Sequence, residues 1–193
     1  MYRPFLSFDR LIKGFGSRNV LKGISATVDK GDVIGLLGLN GAGKTTLIET
    51  ALGFAIPDSG SVSLFGHTAS AIREERIKHR IGFVPQQDEL IDSMSGSEFL
   101  ALISRFYPSW NEDLIARLAR EWDVPLGQPA LRLSSGQRQK LSILAALGHE
   151  PELIVLDEPV ASLDPLARRS FLQELIEIVS SQTIIAVACQ HLG

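Results

Sequence analysis

Cysteine is almost missing from this chain. Cys189 is the one thiol in 193 residues, so no internal disulfide can form and a disulfide-stapled framework is excluded. A reducing compartment is therefore allowed. A surplus of either charge is missing too. Nineteen Lys and Arg residues stand against 22 Asp and Glu, a formal net charge of −3. Nucleic-acid binders usually lean basic, so no nucleic-acid partner is expected. Long apolar runs are also lacking. Val33–Leu37 and Ile184–Cys189 fall far short of the roughly 18–20 residues that a helix needs to cross a bilayer. Asp9 stands where a signal peptide would have its apolar stretch. Any membrane connection is thus expected to be peripheral or through another protein. Low-complexity tracts and internal repeats are absent. What is present is ordinary globular material, 45% hydrophobic and 21% charged. That is enough apolar surface for a sizeable core, in one domain or one domain with an inserted lobe.

Short apolar strands alternate with amphipathic helices, a pattern that predicts an α/β fold. Phe5–Phe8 and Ile24–Val28 read as half-buried strands, and Val33–Leu37 as a buried parallel strand. A helix is expected from about Thr45 to Leu52, a turn at Asp58–Gly60 and a strand at Val62–Phe65. Ile72–Lys78 reads as a helix and Ile81–Val84 as a strand stopped by Pro85. The stretch 88–150 shows helical patterns alone. Ser95 and Glu98 have capping-box spacing, and Asn111 can cap a helix whose Leu114, Ile115, Leu118 and Trp122 share a face. Ser135 reads as the cap of a third helix, with Gly148 near its end. Strands return at Leu153–Leu156 and Thr183–Ala188, around a helix at Pro165–Val179. The expected organisation is an α/β core, about 1–87 and 151–193, interrupted by an all-helical lobe, about 88–150.

Gly38-Leu39-Asn40-Gly41-Ala42-Gly43-Lys44-Thr45 fits the phosphate-binding loop in full. Its glycines let the backbone curl so that successive N–H groups face phosphate oxygens. The helix that follows aims its positive end at the same anion. Lys44 adds a mobile charge for the β- and γ-phosphates, and the Thr45 hydroxyl can ligate Mg²⁺. The loop sits between an apolar strand and a helix, the context that separates it from a chance match.

Leu153-Ile154-Val155-Leu156-Asp157-Glu158 is an apolar strand that ends in two carboxylates. Many such ends are merely solvated. Downstream of a phosphate loop, Asp157 can hold the metal directly or through water. Glu158 is then left to orient or deprotonate an attacking water.

Further stretches carry a family resemblance. Leu133-Ser134-Ser135-Gly136-Gln137 resembles the LSGGQ signature of ATP-binding-cassette (ABC) proteins. Ser162-Leu163-Asp164 resembles the family's D-loop, and Gln86 its Q-loop glutamine. Phe15 stands where the family places an aromatic that stacks on adenine. The whole chain resembles one ABC nucleotide-binding domain: a P-loop NTPase core with a parallel sheet and flanking helices, N-terminal antiparallel strands and an inserted helical signature subdomain. The resemblance implies ATP and Mg²⁺ as ligands. It implies a nucleotide site of Phe15, Gly38, Asn40, Gly41, Ala42, Gly43, Lys44, Thr45 and Thr46. Ser134, Gly136, Gln137 and Asp164 would complete that site from the opposite protomer of a head-to-tail dimer. Thr45, Gln86 and Asp157 would serve the metal, and Glu158, Gln86 and a switch histidine the hydrolysis. The implied partners are a second ABC ATPase subunit, identical or not, and an integral membrane permease. The implied location is cytoplasmic, at the inner face of the cell membrane. Phe106-Tyr107-Pro108-Ser109-Trp110 resembles bacterial antibiotic-resistance and lantibiotic-immunity exporters, whose ATPases are separate polypeptides. The alternative reading is a soluble or catalytically degenerate ABC ATPase that binds ATP for regulation or assembly.

The chain departs from the family at the switch. Strand register puts Cys189 there, while the distance from Asp164 allows His191. A thiol is a weak donor and does not replace an imidazole at a γ-phosphate. The sequence also ends at Gly193, where family members usually continue. Both features bear on hydrolysis more than on ATP binding. His67, His79 and His149 show no metal-ligand spacing and read as surface or satisfied residues.

Overall fold

The structure, a computed structural model, describes residues 4–157, Gln173 and 183–189, with the backbone alone for 69–70 and 183–189. In chain order the elements are β1 (Leu6–Phe15), β2 (Arg18–Val28), β3 (Val33–Gly38), α1 (Lys44–Ala51), β4 (Ser59–Leu64) and β5 (His67–Thr68). Two short helices follow, α2 (Ala69–Ile72) and α3 (Glu75–Lys78), then β6 (Ile81–Val84). Three longer helices come next: α4 (Gly96–Ser104), α5 (Glu112–Glu121) and α6 (Ser135–Leu147), with a 3₁₀ turn at Ala130–Arg132 before α6. The last described strands are β7 (Leu153–Asp157) and β8 (Thr183–Cys189).

The strands form two sheets. One is antiparallel, in the order β2-β1-β4-β5. The other is parallel, in the order β3-β8-β7-β6. β7 explains why a strand can be wholly apolar up to its last residue. All five of its residues are buried. Leu153 and Val155 pack with the N-terminal strands and α1, while Ile154 and Leu156 pack with α4, α5 and α6. Alternate residues of a strand point to opposite faces, so covering both faces removes the polar half of the pattern. The expected mixed α/β architecture with antiparallel N-terminal strands is observed.

Several local expectations are corrected. β1 and β2 are much longer than Phe5–Phe8 and Ile24–Val28. Register shifts between Phe8 and Leu11, between Leu11 and Ile12 and between Lys13 and Gly14 break the two-residue alternation that reveals a strand. Ser59 and Gly60 belong to β4 rather than to a turn. Gly60 has φ 78°, and a Cβ there would overlap the backbone of Asp9 and Arg10, where the β1–β4 register also shifts. Ile72–Lys78 is not one helix. Glu74, with extended backbone (φ −67°, ψ 139°), divides it into α2 and α3. The cap of α6 is Ser134 rather than Ser135, because Ser134 and Gln137 form a reciprocal capping box. Gly148 ends α6 in right-handed geometry; a side chain there would overlap the Trp110 ring. The helix expected at Pro165–Val179 lies, apart from Gln173, outside the described residues.

Candidate functional site

β3 delivers the chain to Gly38, and α1 begins at Lys44. Between them the backbone curls through Gly41 (φ 77°) and Gly43 (φ 98°). Gly43 is required twice over. Its φ suits no ordinary L residue, and a Cβ would come within 2.8 Å of Val20 Cγ1. Gly43 also caps α1 without any side-chain hydrogen bond, and no acidic residue occupies the first turn. The positive end of α1 is thus left to an anion from outside the helix.

Lys44 curls back over the loop. Its Nζ donates to the carbonyl oxygens of Gly38 at 2.8 Å and Leu39 at 3.2 Å. Lys44 thereby lines a pocket of about 370 Å³, together with Arg18, Asn40, Thr45, Thr46 and Gln86. A hollow of about 500 Å³ beside α5 is larger. Its lining of Ala116, Ala119, Val124, Pro125 and Leu126 around Arg120 and Asp123 lacks a glycine loop and a helix start, so the smaller pocket carries the phosphate chemistry.

Thr45 and Asp157 are 112 positions apart, yet the Thr45 hydroxyl donates to Asp157 Oδ2 at 3.2 Å. Asp157 is buried, with 3% of its surface exposed. A carboxylate at such depth needs polar partners. Magnesium takes hard oxygen ligands, usually one or two from protein and the rest from phosphates and water. The Thr45–Asp157 pair beside a phosphate loop fits that ion. No cluster of three or more His, Cys, Asp or Glu side chains that could hold a metal by itself occurs among the described residues.

The remaining expected residues are placed as follows. Gln86 leaves β6 and lines the phosphate pocket. Phe15 ends β1, is 55% exposed and has Lys13 Nζ at 5.4 Å from its ring centre. Lys13 is itself held by Asp58 at 2.8 Å, and Asp58 also accepts from the Gly14 N–H at 2.6 Å. These bonds hold the carboxyl of Asp58 below its ordinary range. Ser134 caps α6: its hydroxyl accepts from the Gln137 N–H at 3.2 Å, and Gln137 Oε1 accepts from the Ser134 N–H at 3.1 Å. Gly136 stands in the first turn of the same helix. Ser134, Gly136 and Gln137 do not line the phosphate pocket. Backbone pairing sets Cys189 beside Gly38, the first residue of the loop. Glu158, Asp164 and His191 lie outside the described residues.

One site residue escapes the sequence reading. Arg18 lines the pocket and donates through Nη2 to the Gly41 carbonyl at 3.3 Å. Its signal was its place three residues after Phe15, across a Gly-Ser turn. Away from the pocket, His149 is the buried, bonded histidine that the sequence allows, stacked on Tyr107 at 3.8 Å between ring centres, with Nε2 3.1 Å from the Ile81 carbonyl. Burial pushes its pKa down to about 4.

A family model described as ABC transporter matches residues 21–161. Over 189 residues the chain is 35% identical to Nod factor export ATP-binding protein I of Ralstonia nicotianae, covering 92% of this chain and 57% of that protein. It is 28% identical over 182 residues to ABC transporter ATP-binding protein YtrB of Bacillus subtilis, covering 94% and 62%. The chain thus spans less than two thirds of the length of these curated relatives. Among solved structures it is similar to an ATP-binding subunit of an ABC transporter, with 30% identity, a TM-score of 0.82, and 97% of this chain and 80% of that one covered. It is also similar to cbiO1 of Clostridium perfringens, described as part of the cbiONQ transporter complex, with 26% identity, a TM-score of 0.79, and 95% and 78% covered.

Proposed function

The chain belongs to the ABC transporter family, and we propose that it is an ATP-binding and ATP-hydrolysing subunit that drives a separate membrane permease. The observation that carries this reading is the meeting of Thr45 and Asp157 beside the Lys44 loop. It supports a site that receives the phosphates of ATP on backbone N–H groups, with Lys44 at their β and γ ends. Thr45 and Asp157, with Gln86 nearby, would hold Mg²⁺. The ion would neutralise charge on the β- and γ-phosphate oxygens. Phe15 would stack on the adenine.

In the reaction a water attacks the γ-phosphorus, the bond to the β-phosphate oxygen breaks, and Glu158 takes the water's proton. Cys189 or His191 would stand at the γ-phosphate; the pairing of Cys189 with Gly38 supports the first. Ser134, Gly136, Gln137 and Asp164 would act on the ATP of a second subunit, identical or not. The absence of Ser134, Gly136 and Gln137 from this protomer's own pocket lining supports that division. On this reading the core is about 1–87 and 151–193, and 88–150 is the signature-bearing helical subdomain.

The permease would dock on the segment between Gln86 and about Met94, at the inner face of the membrane. Ile91 is 41% exposed and Leu131 72% exposed, and the Leu131 N–H bonds to the Asp92 carbonyl, so both apolar residues share one surface. No helix among the described residues is long and apolar enough to cross a membrane. The relatives' names, export ATP-binding protein and transporter ATP-binding protein, support transport, with export favoured. They lend no support to a soluble regulatory or assembly ATPase.

The direct test of the site is nucleotide titration. Lys44→Ala is expected to weaken ATP–Mg²⁺ binding at least about tenfold, the loss of a charge-assisted contact. Unchanged affinity in that variant would overturn the phosphate-loop assignment.

A further inference from the structure

The first turn of α6 contains an electrostatic anomaly. Arg138 lies there, near the positive end of the helix, where a cation is disfavoured. No acidic residue of the first turn offsets it. The compensation comes from elsewhere in the chain. Arg138 Nε and Nη2 donate to the two oxygens of Asp88 at 3.0 and 2.6 Å. Its Nη1 donates to Asp92 Oδ1 at 2.8 Å and to the Ala130 carbonyl at 2.9 Å. Side-on pairing of a guanidinium with a carboxylate fixes orientation as well as distance. Both Arg138 and Asp88 are largely shielded, with about a fifth to a quarter of each side chain exposed.

The partners of Arg138 belong to two segments. Asp88 and Asp92 follow Gln86, on the stretch that leaves the phosphate pocket. Ala130 precedes the Ser134 cap. Downstream of Asp92 these segments are already laced by backbone bonds: the Ala130 N–H reaches the Met94 carbonyl, and the Leu131 N–H the Asp92 carbonyl. Upstream of Asp92, Asp88 carries the link to α6. Without Arg138, Asp88 and Asp92 would face each other as like charges four residues apart, and that link would open.

We infer that Arg138 is a positioning residue that locks the segment leaving Gln86 to the Ser134–Gly136 turn, so that the two move as one unit when ATP enters the pocket. The inference rests on the proposed composite site, in which Gln86 meets ATP of its own protomer and Ser134 meets ATP of the partner. Arg138 itself does not line the phosphate pocket. Its loss therefore separates two quantities that a general loss of stability would shift together: the affinity of one protomer for ATP, and the ATP concentration at which two protomers pair.

The test uses the full chain in a Glu158→Gln background, so that ATP is bound and not consumed. ATP affinity is read with a fluorescent ATP analogue at low protein concentration, and pairing by analytical ultracentrifugation across an ATP series. Arg138→Ala is expected to leave protomer affinity within about twofold and to raise the pairing midpoint about tenfold. Arg138→Lys is expected to behave like Arg138→Ala, because one ammonium does not span two carboxylates and a carbonyl. Asp88→Asn is isosteric and lies outside the helices. It is expected to shift the midpoint in the same direction by less, and it decides the matter if Arg138→Ala does not fold. A pairing midpoint unchanged in Arg138→Ala and Asp88→Asn, while the parent pairs normally, overturns this inference alone. A parent that stays monomeric at saturating ATP overturns the composite site and this inference with it.

Discussion

His149 is buried with one ring nitrogen bonded and the other bare. Nε2–H donates to the Ile81 carbonyl, and Nδ1 has no partner. A second proton would bury an unpaired N–H against Tyr107, which explains why the folded pKa falls from 6.5 to about 4. Between these values the unfolded chain takes up a proton that the folded chain refuses, so stability falls as pH drops from 6.5 to 4. The loss approaches about 3 kcal/mol at the low end. Paired carboxylates act mainly at lower pH. Arg138 and Arg80 hold Asp88 and Glu152 below their ordinary range, so their contribution is complete above the unfolded carboxylate values and is lost as pH falls through the lower folded ones. His149→Phe keeps the stack on Tyr107 and removes the titration. Its melting temperature is expected to be lower at pH 7.5, from the lost hydrogen bond, but to fall less between pH 6.5 and 4.5 than that of the parent. Parallel curves would contradict the assignment.

At the scale of elements, one cap on α6 would serve two purposes. The Ser134 hydroxyl closes the capping box with Gln137, and the same hydroxyl would meet a partner's phosphate. The two roles can be separated. Ser134→Ala is expected to lower stability by about 1 kcal/mol. Ser134→Asp keeps an excellent cap but sets a negative charge where an anion must bind. It is expected to preserve the melting temperature within a few degrees while abolishing ATP-dependent pairing. Pairing that survives in Ser134→Asp would remove the signature turn from the nucleotide site. The capping box was legible in the spacing of Ser134 and Gln137, even though Ser135 was read as the cap. Gly148 shows the converse. Its place near the helix end is legible in the sequence, but its reason is the Trp110 ring, which comes from a residue 38 positions away.

At the scale of the whole molecule, what was legible had a local cause. The phosphate loop, β3, β6 and β7 announce themselves through glycine spacing and apolar runs, because each obeys a rule that spans a few residues. What was hidden depends on partners far along the chain. The bulges that lengthen β1 and β2 follow from pairing with each other and with β4. The meeting of Thr45 with Asp157, and of Arg138 with Asp88, is set by where β7 lies in the sheet and how α6 packs beside it, across 112 and 50 positions. Spacing along the sequence does not encode such contacts. For the same reason the proposed composite site would reach beyond any one protomer, with contacts to each nucleotide from a second chain.

The proposal that this chain powers a membrane partner is tested by recovering the tagged chain from gently solubilised membranes of its native host and identifying its companions by mass spectrometry. The account predicts a polytopic membrane protein in stoichiometric amount, lost when Ile91 and Leu131 are changed to Asp. Recovery from the soluble fraction alone, with ribosomal, DNA-bound or assembly-factor companions, would contradict it.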